Sequence, residues 1–330
     1  MKILVSPLDW GLGHATRSVP IIRRLLKKGH EVDIAGSGRS IALLQQEFPY
    51  LQCFELKSFS PKFFHGNAQW LAIALQVPKF LIAIFREKRA TQTLVNQRGY
   101  DAIISDNRYG VRDRRCRSIL VTHQLSPRIA KHCPAFLERI LAYAICGLAN
   151  KFDYCLVPDI QLFPTGLVGE LSRPRGLKIP IHAIGILSRL NCNEAKLTTP
   201  IEWLSIISGP EPQRTIFENL ILEQFKQLSG KRIIVRGVAK KMEHTEIDGI
   251  ELLSHCDAPT LSTLIQNSRV IVCRSGYSTI MDLMSMKKTA LLVPTPGQAE
   301  QEYLAVKMQD FGFKTCEQNS LCLSDLSAML

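Results

Sequence analysis

The first loop of the chain combines residues that can move protons or bind anions with the glycines of a tight turn. It follows the apolar run 2–6 and contains six residues of interest: Asp9, Gly11, Gly13, His14, Thr16 and Arg17. A glycine turn between a strand and a helix places backbone N–H groups at the mouth of a parallel sheet, where ligands bind. His14 titrates near neutral pH and is suited to act as a general base. A purely structural role for the polar residues is the alternative, whereas a dinucleotide site is disfavoured because the third glycine of that fingerprint is absent.

A second polar motif directly follows the apolar run 270–273. Its residues of interest are Arg274, Ser275, Gly276, Ser278, Thr279 and Asp282. Either serine could cap the following helix, and Gly276 lets the backbone approach a ligand closely. Asp282 lies about one turn inside that helix, where its carboxylate could accept hydrogen bonds from ribose hydroxyls. An acid in the first turns of a helix is also ordinary complementarity to the helix dipole.

Two further loops have the residue types of a sugar-nucleotide site. The loop 208–215 joins a strand to a helix, and its Ser208, Gly209 and Arg214 could hold a diphosphate, although its two prolines remove backbone donors. The loop 294–301 carries Gln298 and Gln301, whose amides could read sugar hydroxyls. A surface turn is the alternative interpretation of this last loop.

Strand-like apolar runs alternate with helical patterns along the whole chain, which predicts α/β architecture with parallel sheets. One series fills residues 1–190 and a second fills 191–330, joined near Ser188–Thr199. We expect two Rossmann-like, doubly wound domains that face each other across a cleft. Pro78 should break the helix predicted over 69–89. Whether 321–330 forms a terminal helix that crosses back to the first domain is left open by the sequence.

Charge is divided unequally between the two halves. Residues 191–330 hold 14 Lys and Arg against 16 Asp and Glu, which leaves 27 against 13 for residues 1–190 of a chain with net charge +12. A basic run lies in the first half: Arg108, Arg112, Arg114, Arg115 and Arg117. If it lies next to the apolar segment 70–85, it could dock a peripheral enzyme on an anionic membrane. A solvated loop beside a core helix is the alternative.

Several classes of protein are disfavoured. The sequence shows no apolar stretch of membrane-spanning length and no signal-peptide pattern at its start, so a cytoplasmic location is expected, with the inner face of the cytoplasmic membrane as an alternative. The ten cysteines are scattered without zinc-ligand spacing, so no metal site is expected. There is no lysine-bearing P-loop and no D-x-D triplet. The basic residues lack aromatic interleaving, so nucleic acid is not an expected partner.

Taken together, these motifs resemble the family 28 glycosyltransferases, which include the enzyme that adds N-acetylglucosamine to lipid I. The C-terminal resemblance rests on order and spacing across 273–276, Thr279, Asp282, 292–294 and Gln301. The N-terminal resemblance is the step Gly13-His14. The longer first loop, with 105–110 and 185–189, looks like an uncharacterised bacterial branch of predicted transferases.

The resemblance implies a GT-B fold and a nucleotide-sugar donor. Asp282 falls where the family has a ribose-binding glutamate, and Gln301 falls on a family glutamine near the donor sugar. Leu304 occupies a position where the family has asparagine, so the donor sugar is not identified. The residues of the acceptor side would be Gly11, Gly13, Thr16 and Arg17.

The implied reaction transfers a hexose from a UDP-type donor to a hydroxyl of a lipid or glycan of the cell envelope, with inversion and without metal or cofactor. His14 is the first choice for the base, Asp106 the second and Asp9 the third. Arg189, Arg214 and the helix that starts near Ser278 would stabilise the departing diphosphate. A UDP-sugar 2-epimerase and a non-catalytic sugar-nucleotide-binding subunit are the alternatives.

Overall fold

The computed structural model describes residues 1–59, 69–129, 133–190, 199–238 and 243–327. It divides the chain into two compact units, Met1–Leu187 and Ser188–Leu330. The central part of the predicted connection, 191–198, and the chain end, 328–330, lie outside the described residues.

The first unit is a parallel sheet of seven strands in the order β3-β2-β1-β4-β5-β6-β7. Its elements along the chain are β1 (Lys2–Pro7), α1 (Leu12–Lys27), β2 (Glu31–Gly36), α2 (Gly38–Glu47), β3 (Cys53–Glu55), α3 (Gln69–Arg98), β4 (Ala102–Asp106), β5 (Arg117–Val121), α4 (Ala135–Ala149), β6 (Tyr154–Val157) and β7 (Ile181–Ala183). The strand order reverses between β1 and β4, which is where ligands bind in open α/β sheets.

The second unit repeats this plan with the order β10-β11-β9-β8-β12-β13-β14, in which only the pairing of β10 with β11 is antiparallel. Its elements are β8 (Ile201–Ile206), α5 (Gln213–Lys226), β9 (Arg232–Val235), β10 (His244–Ile247), β11 (Ile250–Leu253), α6 (Ala258–Gln266), β12 (Ser268–Cys273), α7 (Tyr277–Ser285), β13 (Leu291–Leu292), α8 (Ala299–Lys307), β14 (Lys314–Thr315) and α9 (Leu323–Ser327). The reversal lies between β8 and β12.

Alternating residues of β1 explain why the first sheet is covered on both faces. Ile3 and Val5 belong to one buried cluster with side chains of α1 and α2, such as Ile22. Leu4 belongs to a second buried cluster, with Val95 of α3. Successive side chains of a strand point to opposite faces, so a strand that is apolar throughout must be buried on both.

The expected break at Pro78 is wrong, because α3 is one helix of 30 residues with that proline inside it. A proline removes one backbone donor, but the residues on both sides are good helix formers, and helix growth is cooperative once started.

Only the start of the basic run lies beside the apolar segment 70–85, where the ring of Tyr109, next to Arg108, lies 6.4 Å from the ring of Phe80. Arg108 is buried and forms an ion pair with Glu87 of α3 at 3.0 Å. Arg115 pairs with Asp113 and donates to the backbone oxygen of Gln92 at 3.3 Å. Arg115 therefore lies beside the C-terminal half of α3, and Gln92 is about 10 Å along the helix axis from Phe85, the last residue of the apolar segment.

Candidate functional site

The polar residues of the first loop meet at the carboxyl edge of the first sheet. His14 and Arg17 lie in the first turns of α1, which follows β1, and Asp106 is the last residue of β4. The two strands are neighbours at the reversal of strand order, so the topology brings together residues about 90 positions apart. Asp106 and Arg17 are buried, whereas His14 is partly exposed.

Arg17 is the residue with the most contacts in this cluster. Its Nε donates to Asp106 Oδ2 at 2.7 Å, and its Nη2 donates to Asp106 Oδ1. The same Nη2 lies 2.8 Å from Nδ1 of His14, which in turn lies 3.2 Å from Asp106 Oδ1. The remaining nitrogen, Nη1, lies 3.0 Å from Nδ1 of His123. One guanidinium therefore contacts a carboxylate and two imidazoles.

His123 was not among the sequence candidates. It lies two residues after the end of β5, and its side chain is buried with 4% of its surface exposed. Since β5 pairs with β4 in parallel, a polar residue just beyond its carboxyl end reaches the same edge as Asp106. The position of a histidine after a predicted strand was the available signal.

The charges of the cluster shift the ionisation of its members. Burial lowers the pKa of His14, and the Arg17 charge lowers it further, against the opposing charge of Asp106. Burial would raise the pKa of the Asp106 carboxyl, but the charge of Arg17 and the hydrogen bonds from Arg17 and His14 outweigh it, and the pKa lies well below its usual range. Near neutral pH this arrangement holds an ionised Asp106 beside an uncharged imidazole.

The other candidates of the first loop have local structural contacts. Oδ1 of Asp9 accepts from the backbone N–H of Ser40 at 3.1 Å, in the first turn of α2. Thr16 Oγ1 donates to the backbone oxygen of Gly13 at 3.0 Å. Gly11 precedes α1 as its N-cap. Asp9 is thus placed as a capping group for α2, while Asp106 is the carboxylate that the structure brings to His14.

In the second unit, Asp282 lies in α7 beside the reversal of strand order. Its Oδ1 accepts a hydrogen bond from the hydroxyl of Ser188, whose Oγ also accepts from the backbone N–H of Leu190 at 3.0 Å. Burial raises the pKa of Asp282 to about 6, while the Ser188 hydrogen bond and the Arg189 charge act in the opposite direction. The residue as a whole is partly exposed to solvent. Its carboxylate already accepts a hydrogen bond from an alcohol.

Arg274 is turned into the protein. It has no exposed surface, and its guanidinium lies 3.9 Å from the ring centre of Phe217. It donates to the backbone oxygens of Val293, Pro294 and Gln213 and to Oε1 of Gln318. These contacts fasten the loops after β8 and β13 to the motif after β12. The side chain therefore holds the loops of the site in place and does not itself face solvent.

Neighbouring candidates are also engaged with the protein. Ser275 Oγ donates to the backbone oxygen of Gln301 at 2.8 Å, and Gln301 Oε1 accepts from the backbone N–H of Thr295 at 2.9 Å. The N-cap of α7 is Gly276 rather than either serine. Gln298 takes the N-cap position of α8. The loops after β12 and β13 are thereby tied to each other.

Arg214 is held by carboxylates of its own unit. Its guanidinium pairs with Glu211 and Glu218 and donates to the backbone oxygen of Arg236 at 3.2 Å. Both acids would have to be released before it could clamp a diphosphate. The accessible candidates around α7 and the loop after β8 are Ser208, Gly209, Gly276, Ser278 and Thr279, each partly or fully exposed.

Three buried polar atoms of these loops lack a hydrogen-bond partner among the described residues: Gln213 Oε1, Arg274 Nε and Thr295 Oγ1. Buried polar atoms are normally satisfied. Across the described ranges, no group of three or more potential metal ligands occurs. Within the same ranges, no helix is long and apolar enough to span a membrane.

Comparison with known proteins identifies the second unit. Residues 214–328 match the family model of the Glycosyltransferase family 28 C-terminal domain, so the resemblance to family 28 is confirmed for this part of the chain. The chain is also similar to an uncharacterised glycosyltransferase of Methanosarcina mazei, with 23% identity over 336 residues that cover 95% of this chain and 85% of the relative.

Solved structures agree on the fold. The glycotransferase of kitacinnamycin superposes with a TM-score of 0.68 and 16% identity over 99% of this chain and 89% of that protein. MurG of Acinetobacter baumannii superposes with a TM-score of 0.57 and is 14% identical, over 99% of this chain and 89% of that protein. Spinosyn rhamnosyltransferase SpnG, complexed with thymidine diphosphate, superposes with a TM-score of 0.63 and is 14% identical, over 96% of this chain and 86% of that protein. The predicted α/β fold of the GT-B type is confirmed.

Proposed function

We propose that this chain is a glycosyltransferase that moves a hexose from a UDP-sugar to a hydroxyl of a lipid or glycan acceptor, with inversion and without a metal ion. The second unit would bind the donor, and the first unit would activate the acceptor. The observation that carries the proposal is Asp282, a partly exposed residue of the family 28 domain whose carboxylate already accepts a hydrogen bond from an alcohol. The two hydroxyls of a ribose present the same chemistry to it.

The donor would lie against the accessible residues of the loops after β8 and β12. Asp282 would accept from the ribose, and the N-terminal end of α7 would face the diphosphate, since helix N-termini favour negative charge. Arg189 contributes positive charge close to Asp282. Arg274 would act indirectly, through the loops that it fastens.

In the first unit, His14 would serve as the base. Its Nε2 would take the proton of the acceptor hydroxyl, and the oxygen would use the freed electron pair to attack the anomeric carbon. The bond from that carbon to the diphosphate would break, and its electron pair would leave with UDP. Inversion follows from a single displacement. Asp106 supports this role because its carboxylate lies 3.2 Å from Nδ1 and stabilises the imidazolium that forms.

The test of the donor site is calorimetric titration with UDP, ADP, GDP, TDP and NAD in the presence of EDTA. We expect UDP to bind, and Asp282→Ala to weaken its binding at least about 10-fold, as loss of a charged acceptor costs about 1.5–3 kcal/mol. Glu246→Ala, on the exposed strand β10 of the same unit, is the matched control. Binding of NAD alone, or equal UDP affinity in both variants, would remove the basis of the proposal.

A lipid acceptor is supported by exposed apolar side chains on α3 and α4, both of which pack against one buried cluster, through Phe80 and Ile84 of α3 and Ile145 and Leu148 of α4. The exposed residues are Leu75, Val77, Leu81, Ile82, Phe85, Phe136, Ile140 and Tyr143. Lys79, Arg86 and Arg139 lie among them in the sequence and are exposed as well. Apolar groups flanked by cations are suited to an anionic membrane surface.

We expect the protein to sediment with vesicles that contain anionic lipid, and the double variant Ile82→Ser, Phe85→Ser to lose most of this binding. Arg114→Ser with Arg117→Ser is the control, since these residues lie at the other end of α3 and should matter less. If the arginine variant loses more binding than the apolar variant, the surface has been assigned to the wrong part of the unit.

A further inference from the structure

We propose that Arg17 is a positioning residue of the acceptor site, which anchors Asp106 through both carboxylate oxygens and controls the proton of His14. The proposal rests on the proposed role of His14 as the base. It goes beyond that role because the sequence motif assigns Arg17 only to the acceptor side in general, and the match to family 28, which begins at residue 214, does not include it.

The geometry gives the first part of the role. Two guanidinium nitrogens of Arg17 donate to the two oxygens of Asp106, and such forked pairing fixes the orientation of a carboxylate. Both residues are buried, so water does not compete for these bonds. His14 alone could not hold Asp106 in this way, since only one ring nitrogen faces the carboxylate.

The second part follows from the surroundings of Nδ1 of His14. Arg17 Nη2 lies 2.8 Å from it and Asp106 Oδ1 lies 3.2 Å from it. These neighbours favour opposite states, because Asp106 can only accept a proton from Nδ1 and Arg17 can only donate one to it. The base needs its proton on Nδ1, which leaves Nε2 open. Arg17 therefore competes with Asp106 and restrains the basicity of the ring.

His123 completes the arrangement by accepting from the third guanidinium nitrogen at 3.0 Å. The charged and titratable groups that face His14 are thus Arg17 on its own helix, Asp106 at the end of β4 and His123 after β5. Burial, Arg17 and His123 lower the pKa of His14, and Asp106 raises it. Without Arg17, the balance shifts towards protonated His14.

The variants Arg17→Gln and Arg17→Lys separate charge from shape. Glutamine can still donate to Asp106 but carries no charge, whereas lysine keeps the charge without the fork. We expect the pKa of His14, measured by NMR titration of its ring in the full chain, to rise by about one unit or more in Arg17→Gln and by less in Arg17→Lys. His123→Gln, which keeps an acceptor for Arg17, should shift it least.

The acid limb of the pH profile of kcat/KM, measured with a UDP-sugar, should move to higher pH. The shift should be largest in Arg17→Gln, smaller in Arg17→Lys and smallest in His123→Gln. A merely structural Arg17 would lower activity equally at all pH values and leave the His14 titration unmoved, and that result overturns the proposal. If Arg17→Gln does not fold, as judged by circular dichroism, the test is the comparison of the His14 pKa in Arg17→Lys with that in His123→Gln. If the ring titrates as expected but no UDP-sugar is turned over, the proposed function has failed and the role of Arg17 stands.

Discussion

Replacing Asp282 with asparagine is expected to stabilise the second unit above pH 6 while weakening its binding of UDP. Burial raises the pKa of this carboxyl from 3.8 to about 6, and Ser188 and Arg189 offset burial only in part. The folded protein thus binds the proton more tightly than the unfolded chain. The contribution of this carboxyl to the free energy of unfolding is fully present below pH 3.8 and is lost as the pH rises through its pKa in the folded protein.

The magnitude follows from the shift. Two pKa units correspond to about 3 kcal/mol, and because the residue is partly exposed we expect about half of that, about 1–2 kcal/mol. Asparagine keeps the shape and one acceptor but carries no charge, so it should remove this cost. At about 2–4 °C per kcal/mol, the unfolding midpoint of the second unit should rise by about 2–8 °C at pH 8 and by little at pH 4.

The assay is differential scanning calorimetry at pH 4, 6 and 8, with UDP titrations at pH 8. Asp257→Ala is the matched control, because Asp257 caps α6 in the same unit by accepting from the backbone N–H of Thr260 at 2.8 Å. Its loss should lower stability by about 1 kcal/mol at pH 8. An Asp282→Asn protein that is less stable at pH 8, or that binds UDP as tightly as the wild type, would refute the reasoning.

Two further substitutions test the packing behind the sites. Gly110→Ala should lower the free energy of unfolding, measured in urea, by about 1–3 kcal/mol, because the new methyl group would meet the backbone oxygen of Ile84 and lie 2.6 Å from Cβ of Glu87. Gly147→Ala is the control: it has open space around it and should not lower the free energy of unfolding. Equal losses in the two variants would contradict this prediction. Arg274→Met should cost at least about 3 kcal/mol, because it leaves several buried carbonyl groups without a donor, whereas Arg269→Met on the surface should cost under about 1 kcal/mol. A small effect at Arg274 would show that it does not fasten the loops.

The sequence predicts the α/β architecture and the edges of the sheets where the motifs gather. Apolar runs such as 2–6 and 270–273 form strands next to the reversals of strand order, and the polar residues that follow them are therefore placed at the ligand-binding edge. His14 and Asp106 are brought together for this reason. Residue type and position relative to a strand end were sufficient for this part.

Side-chain orientation could not be predicted in the same way. Arg274 and Gln318 are 44 residues apart, and Arg108 and Glu87 are 21 apart, yet each pair is in contact. The residues around an arginine in the sequence do not show which distant residue will accept its hydrogen bonds in the folded protein. The antiparallel strand β10 was also missed, since its four residues are all exposed and carry no apolar pattern.

The most direct test of the central claim is release of UDP from UDP-glucose, UDP-galactose and UDP-N-acetylglucosamine, in the presence of EDTA and of vesicles that contain diacylglycerol. We predict that at least one donor is turned over, that His14→Ala lowers kcat by about 100-fold or more, and that Asp282→Ala acts mainly on KM. Turnover that is unchanged in both variants would contradict the account.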